Sequence, residues 1–208
     1  MLSHTRIALI CGAPINDPEK IKKRILEFPL LIAVDGGANH CHQLGLTPDL
    51  LIGDFDSASP QVLKHFKEVP QKHFPKDKDQ TDLEIAAELA VHPQIEEVVV
   101  FGALQGRTDH LLGNLILLCR YPGKLYLESD SERIFVIDRK TSFATIPGQQ
   151  ISLIPMNGPV KGVHTRGLKW ELSGKTLDKN FIGISNESTQ SQVEISVQEG
   201  DLLCCINL

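Results

Sequence analysis

Along the first 128 residues, short apolar runs alternate with stretches of helical periodicity, the pattern of βαβ units whose strands pair in parallel. Six strands are predicted, at residues 6–11, 30–34, 50–52, 97–101 and 124–127, with a weaker one at 72–74. The helices between them carry local start signals. Asp17-Pro18 and Ser59-Pro60 each place a capping side chain before a proline at the first helical position, and Thr81 with Glu84 forms a candidate capping box. The helix from Thr81 presents Leu83, Ile85, Ala86, Leu89 and Ala90 as a broad apolar stripe, which predicts that it covers the sheet.

After Ser129 the pattern changes. Alternating or β-branched runs at 133–137, 150–154, 181–184 and 192–197 are separated by Gly, Pro and Asn turns, and no helical periodicity remains. The expected fold is α/β plus all-β: an N-terminal three-layer α/β/α parallel-sheet (Rossmann-like) domain over residues 1–129 and a C-terminal antiparallel β-sandwich over residues 130–208. No Ser/Gly-rich linker separates them, so the halves are expected to pack firmly.

Composition narrows the partners. The formal charge is −5, from 21 basic and 26 acidic side chains, with no basic block or interleaved aromatic stripe, which argues against nucleic acid or an anionic membrane surface. The five cysteines (Cys11, Cys41, Cys119, Cys204 and Cys205) are odd in number and lack CxxC spacing. They suit reduced thiols in a cytoplasm better than a disulfide framework or a zinc site. No segment approaches the roughly 18 apolar residues of a membrane-spanning helix.

In an open parallel sheet the carboxyl ends of the strands share one edge, where ligands bind. The unusual polar residues of this chain follow strands. The second strand leads to Asp35-Gly36-Gly37-Ala38 and the third to Asp54-Phe55-Asp56-Ser57. The weak fourth leads to KDKDQTD, containing Asp77, Asp79, Thr81 and Asp82, and the fifth to a loop from Gly102 through Gly106, Arg107 and Asp109 to His110. Read singly, each has an ordinary explanation: Asp-x-Asp and Asp-Gly-Gly as turn chemistry, KDKDQTD as a solvated charge run, Thr108-Asp109-His110 as a capped first turn. Together they place seven aspartates and one arginine at a single edge. Clustered aspartates repel one another, so a cation is expected among them. Arg107, among glycines at a helix start, suits a phosphate chain. These are the parts of phosphoryl transfer, yet no GxxxxGK[ST] sequence is present.

The segments VDGGANHCHQLGLTPDLLIGDFDS, KDKDQTDLEIA, GALQGRTDHLLGN, GLKW and GISNE occur in an order and spacing that resemble the thiamin pyrophosphokinase (thiamin diphosphokinase) family over nearly the whole chain. The resemblance implies transfer of a diphosphate from ATP to the hydroxyethyl group of thiamin, giving thiamin diphosphate and AMP, with Mg²⁺ required. It also implies a homodimer, with thiamin held where one subunit's α/β domain meets the other's β domain. By motif, Asp54, Asp56 and Asp82 would be the Mg²⁺ ligands and, with Arg107, the catalytic set. Asp35, Gly36, Gly37, Asp79, Thr81, Gly102, Gly106, Arg107, Asp109 and His110 would form the ATP site. Trp170, the only tryptophan, would stack on thiamin, whose cationic ring favours an aromatic face, and Ser185 and Asn186 would hydrogen-bond its pyrimidine side. Asp35, Asp77 and Asp79 are candidates for the base. One departure is Gln105, where many members have a second glycine before Gly106. Two other activities use similar parts: a haloacid dehalogenase-type phosphatase with Asp54 as nucleophile, and a diphosphokinase for another small alcohol, such as a pterin type. A nucleotide or thiamin sensor without turnover would use the same pocket.

Overall fold

Continuous apolar runs form the central strands of the first half. In the computed structural model, which describes residues 6–208, the elements run β1 (Arg6–Ile10), α1 (Pro18–Ile25), β2 (Leu30–Val34), α2 (Gly37–Leu44), β3 (Leu50–Gly53), α3 (Pro60–His65) and β4 (Gln71–His73). They continue through α4 (Asp82–Ala90), β5 (Glu97–Phe101), α5 (Thr108–Leu118) and β6 (Leu125–Glu128). β1, β2, β3 and β5 are buried at nearly every position, as expected of strands covered on both faces. Their spatial order is β4-β3-β2-β1-β5, every pair parallel, with Ile10 matched to Ala33 on one side and Phe101 on the other.

The expected caps are present. Asp17 Oδ1 accepts from Lys20 N at 2.9 Å and Ser59 Oγ from Val62 N at 3.3 Å. Thr81 and Glu84 complete a reciprocal capping box at 3.2 and 2.8 Å, which pins the first residue of α4, Asp82. α4 buries Leu83, Ile85, Ala86, Ala87 and Ala90. Leu89, expected on the same stripe, stays 43% exposed in the last turn.

The chain divides into two compact units, the first reaching Leu117 and including Leu127–Asp130, the second made of Leu118–Tyr126 and Ser131–Leu208. The second unit contains β7 (Glu132–Ile137), β8 (Lys140–Ala144), β9 (Gln150–Arg166), β10 (Lys175–Leu177), β11 (Gly183–Glu187), β12 (Gln192–Ser196) and β13 (Glu199–Asn207). The order is β7-β13-β9-β12-β8, with β10 and β11 also on β9, and the pairings are antiparallel. Ile151, Leu153, Val160, Val163, Leu177, Val193, Ile195 and Leu202 form its core.

Three differences from the sequence reading have local causes. The run at 150–154 is the start of a 17-residue strand, because Pro155, Gly158, Pro159 and Gly162 are accommodated with register shifts rather than ending it. β13 escaped detection because Leu202, Leu203 and Cys204 are all buried, leaving no alternation. The strand expected at 181–184 begins only at Gly183, since Phe181 closes a tight turn in which its N–H and that of Asp178 donate to each other's carbonyl.

Candidate active site

β1 has β2 on one side and β5 on the other, although the chain visits β2, β3 and β4 before crossing back to β5. At such a reversal the loops leaving the strands diverge and leave a crevice at their carboxyl ends. A cleft of about 630 Å³ lies there, within the range of small-molecule sites. Its lining includes residues 11–14 after β1, Asp35 and Gly36 after β2, Asp54 and Ser57 after β3, Lys76, Lys78 and Thr81 before α4 with Asp82 and Leu83 in its first turn, and Gly102, Ala103, Gln105, Gly106, Arg107 and His110 after β5.

Close backbone approach shapes the acidic side. A Cβ on Gly12 would lie 3.0 Å from Gly36 Cα, so these two loops touch through glycine. Asp35 (φ 45°) and Phe55 (φ 62°) occupy the left-handed region, uncommon for residues with a Cβ and typical of functional turns. Asn39 ties the loops together: its Nδ2 donates to Ser57 O at 2.8 Å and its Oδ1 accepts from Ser59 N at 3.0 Å.

The structure brings together Asp35, Asp54 and Asp82, each half-buried, with one oxygen apiece within 4.8 Å of the others. Asp56 is not in that group. It turns outward, pairs with Lys76 at 2.6 Å and accepts from Ser57 Oγ at 3.0 Å, and the Lys76 contact, then Ser57, holds its carboxyl below the usual range. Lys78 Nζ reaches into the cluster, 3.2 Å from Asp82 Oδ1 and 3.7 Å from Asp54 Oδ2. The contact to Asp82 is an ion pair of poor hydrogen-bond geometry, and Asp82 Oδ1 is buried without a hydrogen-bond partner. Burial pushes the Asp82 carboxyl up; Lys78 opposes that shift, while Asp54 and Asp35 add to it. A buried oxygen lacking a donor, in an all-oxygen donor set, fits a hard divalent cation such as Mg²⁺.

On the opposite side, Arg107 lines the cleft with a largely exposed guanidinium bound to Asp109 at 2.6 and 3.1 Å. The arginine holds the Asp109 carboxyl down to about 2. An exposed pair of this kind is weak and readily re-partnered. Gly36, Thr81, Gly102, Gly106 and His110 also line the cleft, whereas Gly37, Asp79 and Asp109 stand outside its lining and Asp77 and Asp79 are exposed. Gln105, the departure from the glycine pattern, lines it too.

The loop after β1 was missed, although Gly12-Ala13-Pro14 directly following a strand is the same signal that marked the other loops. His40 Nε2 meets Ala13 O at 3.0 Å and fixes that loop, and Asn114, one turn after His110, donates to Ala103 O at 2.9 Å. Cys11 also lines the cleft. Burial, then repulsion from Asp35 and Asp82, raises its thiol to about 12. At pH 8 only about one part in ten thousand is thiolate, the reactive form. Iodoacetamide at pH 8 is therefore expected to label Cys11 far more slowly than a free thiol in solution, as followed by peptide mass spectrometry; labelling at the free-thiol rate would contradict the assigned environment.

In the second unit Trp170 is 55% exposed, and Lys169 Nζ lies 4.6 Å from its ring centroid. Asn186 is buried beside it: Oδ1 accepts from Trp170 N at 3.1 Å and from Glu187 N at 2.9 Å, and Nδ2 donates to Trp170 O at 2.8 Å. Those bonds tie the Asn186 amide to the tryptophan backbone on both its oxygen and its nitrogen. Ser185, exposed at φ 59°, donates its N–H to Ser152 Oγ at 3.0 Å.

Comparison with known proteins gives a consistent result. The family model described as "Thiamin pyrophosphokinase, catalytic domain" matches residues 21–128, and "Thiamin pyrophosphokinase, vitamin B1 binding domain" matches residues 135–202. Thiamine pyrophosphokinase 1 of Oryza sativa subsp. japonica is 30% identical, covering 86% of this chain and 79% of its own. Thiamine pyrophosphokinase of Bacillus subtilis (strain 168) is 29% identical over 95% of this chain and 96% of its own. The crystal structure of thiamine pyrophosphokinase from Bacillus subtilis superposes with a TM-score of 0.86 at 26% identity, covering 97% of this chain and 98% of that one.

Proposed function

The chain belongs to the thiamin pyrophosphokinase family, and from that premise we propose that it transfers the diphosphate of ATP to the hydroxyethyl group of thiamin, releasing thiamin diphosphate and AMP. The observation that carries the reading at the residue level is the convergence of Asp35, Asp54 and Asp82 opposite Arg107 across one cleft. The relatives found are thiamin pyrophosphokinases, which leaves the phosphatase and pterin-type readings without support.

Asp54 and Asp82, joined by Asp35 in the place expected of Asp56, would hold Mg²⁺. When bound, that ion supplies charge neutralisation at the phosphate oxygens. Arg107 exchanges Asp109 for phosphate oxygens, since a guanidinium forks onto either. Gly102 and Gly106, both at positive φ, let backbone approach the phosphate chain beside the start of α5. The thiamin hydroxyl oxygen attacks the β-phosphorus in line: its O–P bond forms as the bond from that phosphorus to the bridging oxygen breaks, AMP leaves, and the hydroxyl proton passes to a cleft carboxylate.

The same proposal reads residues 1–129 as a three-layer α/β/α catalytic domain for ATP and residues 130–208 as an antiparallel β-sandwich that binds thiamin. It also includes a homodimer in the cytoplasm. The exposed apolar side chains of Trp170, Phe181, Ile182 and Ile184 on the second unit support an association surface. Among the described residues no helix is long and apolar enough to cross a membrane.

Incubation with ATP, Mg²⁺ and thiamin tests the activity: equimolar AMP and thiamin diphosphate are expected, and free phosphate in place of AMP would refute it. Trp170→Ala is expected to raise KM for thiamin about tenfold or more, with a smaller change in kcat, because a lost aromatic contact with a cation weakens binding in ground and transition states alike. An unchanged KM would remove Trp170 from the thiamin site.

A further inference from the structure

Lys78 belongs to the loop that carries a metal ligand, yet its own charge lies where a cation is needed. Its side chain is only 14% exposed, unusual for a lysine, and its ammonium makes three contacts: Asp82 Oδ1 at 3.2 Å, Asp54 Oδ2 at 3.7 Å and, as donor, Pro75 O at 2.9 Å. The other lysine of the loop, Lys76, is 78% exposed and pairs outside the group, with Asp56. Against the three carboxylates one ammonium leaves a net charge of −2 (one minus three), so Lys78 neutralises the cluster only in part, less than a divalent ion in its place would.

We propose that Lys78 is a tethered counter-ion that occupies the cation position of the metal-free enzyme and is displaced when the divalent ion binds, making metal loading a cation exchange. This rests on the assignment of Asp35, Asp54 and Asp82 as the metal cluster. The physical reason is mutual exclusion. An ammonium and a divalent cation cannot share the same Asp54 and Asp82 oxygens without strong repulsion in a half-buried site. Without a local cation the three carboxylates would spread apart or take up protons. Lys78 therefore has two opposed effects: it keeps the ligands gathered in the empty protein, and it competes with the metal for them.

The test measures metal binding without nucleotide. Mn²⁺ titration, followed by loss of the free-ion electron paramagnetic resonance signal, is run on the wild-type protein, Lys78→Met, Lys78→Arg, Asp54→Asn and a surface control, Lys67→Met. Lys78→Met is expected to bind Mn²⁺ about five- to tenfold more tightly, because its competitor is gone. Lys78→Arg retains the competitor and should stay near wild type, and Lys67→Met should not differ. Equal or weaker binding by Lys78→Met, with wild-type binding still abolished by Asp54→Asn, would overturn the exchange while leaving the metal site standing. Absence of Mn²⁺ binding by both wild type and Lys78→Met would overturn the metal site and the exchange together. A measurement on the unaltered protein gives an independent check: amine acetylation at Lys78, quantified by peptide mass spectrometry, should rise when Mn²⁺ is added. Unchanged or reduced acetylation at Lys78 would overturn the proposal even if a variant failed to fold.

Discussion

Asp54→Asn is expected to lower the rate of AMP formation by about a hundred- to a thousandfold at saturating ATP, thiamin and Mg²⁺, the scale of losing one preorganised electrostatic contact to a phosphoryl transfer site. The same change should leave metal-free stability equal or higher. Asparagine has the size of aspartate and can still accept the 3.1 Å hydrogen bond that Asp56 N donates to Oδ1 of residue 54, so the turn is kept. What it removes is one of three negative charges gathered within 4.8 Å. Relief of like-charge repulsion favours the folded state just as loss of the charge disables the site, the opposition expected where a protein stores unfavourable electrostatics for function. Urea unfolding in a chelator and a direct assay of AMP supply the two readings. Normal Mg²⁺-dependent AMP formation by the variant would show that the metal is held elsewhere.

The sequence revealed the motif, whereas the structure gathers only one of its two carboxylates with Asp35 and Asp82, for a reason that lies in one backbone angle. In Asp54-Phe55-Asp56 the intervening Phe55 takes φ 62°. The turn sends the two side chains apart: Asp54 is 13% exposed beside Lys78, Asp56 is 44% exposed beside Lys76. Asp35 replaces Asp56 in the cluster because Gly53, at φ 148°, lets the end of β3 pass against Asp35, where a Cβ would lie 3.1 Å from Asp35 Cα. Spacing along a chain does not specify such a crossing. Caps and strand centres were legible because they depend on neighbours three or four residues away. The fate of Asn186 was not, since a buried amide answers to whichever backbone passes it, here that of Trp170, 16 residues away.

Gly37→Ala should be among the most destabilising single-methyl changes available in this chain, costing about 3 kcal/mol or more, at or beyond the upper end of core overpacking. A Cβ at residue 37 would fall 1.8 Å from Ile10 O and 2.6 Å from Ile10 C. These are backbone atoms of β1, which is hydrogen-bonded to β2 on one side and β5 on the other, so the strand cannot yield. The start of α2 must move instead. Asp35 and Gly36, immediately before it, would be pushed with it against the 2.8 Å hydrogen bond from Asp35 N to Ile52 O, and the Asp35 carboxylate, which accepts from Ser57 N at a long 3.4 Å, would shift in the cluster. Loss of stability and loss of Mn²⁺ affinity should therefore appear together in this variant, in contrast to Asp54→Asn, where they separate. Gly113→Ala is the matched control: within α5, with nothing inside 4 Å of the added methyl, it is expected to stabilise by about 0.5–1 kcal/mol through helix propensity. One methyl group thus has opposite signs at two glycines. Equal urea midpoints for the two variants would mean that α2 does not abut β1 as closely as the Gly37 geometry requires, and the placement of Asp35 in the cluster would fall with it.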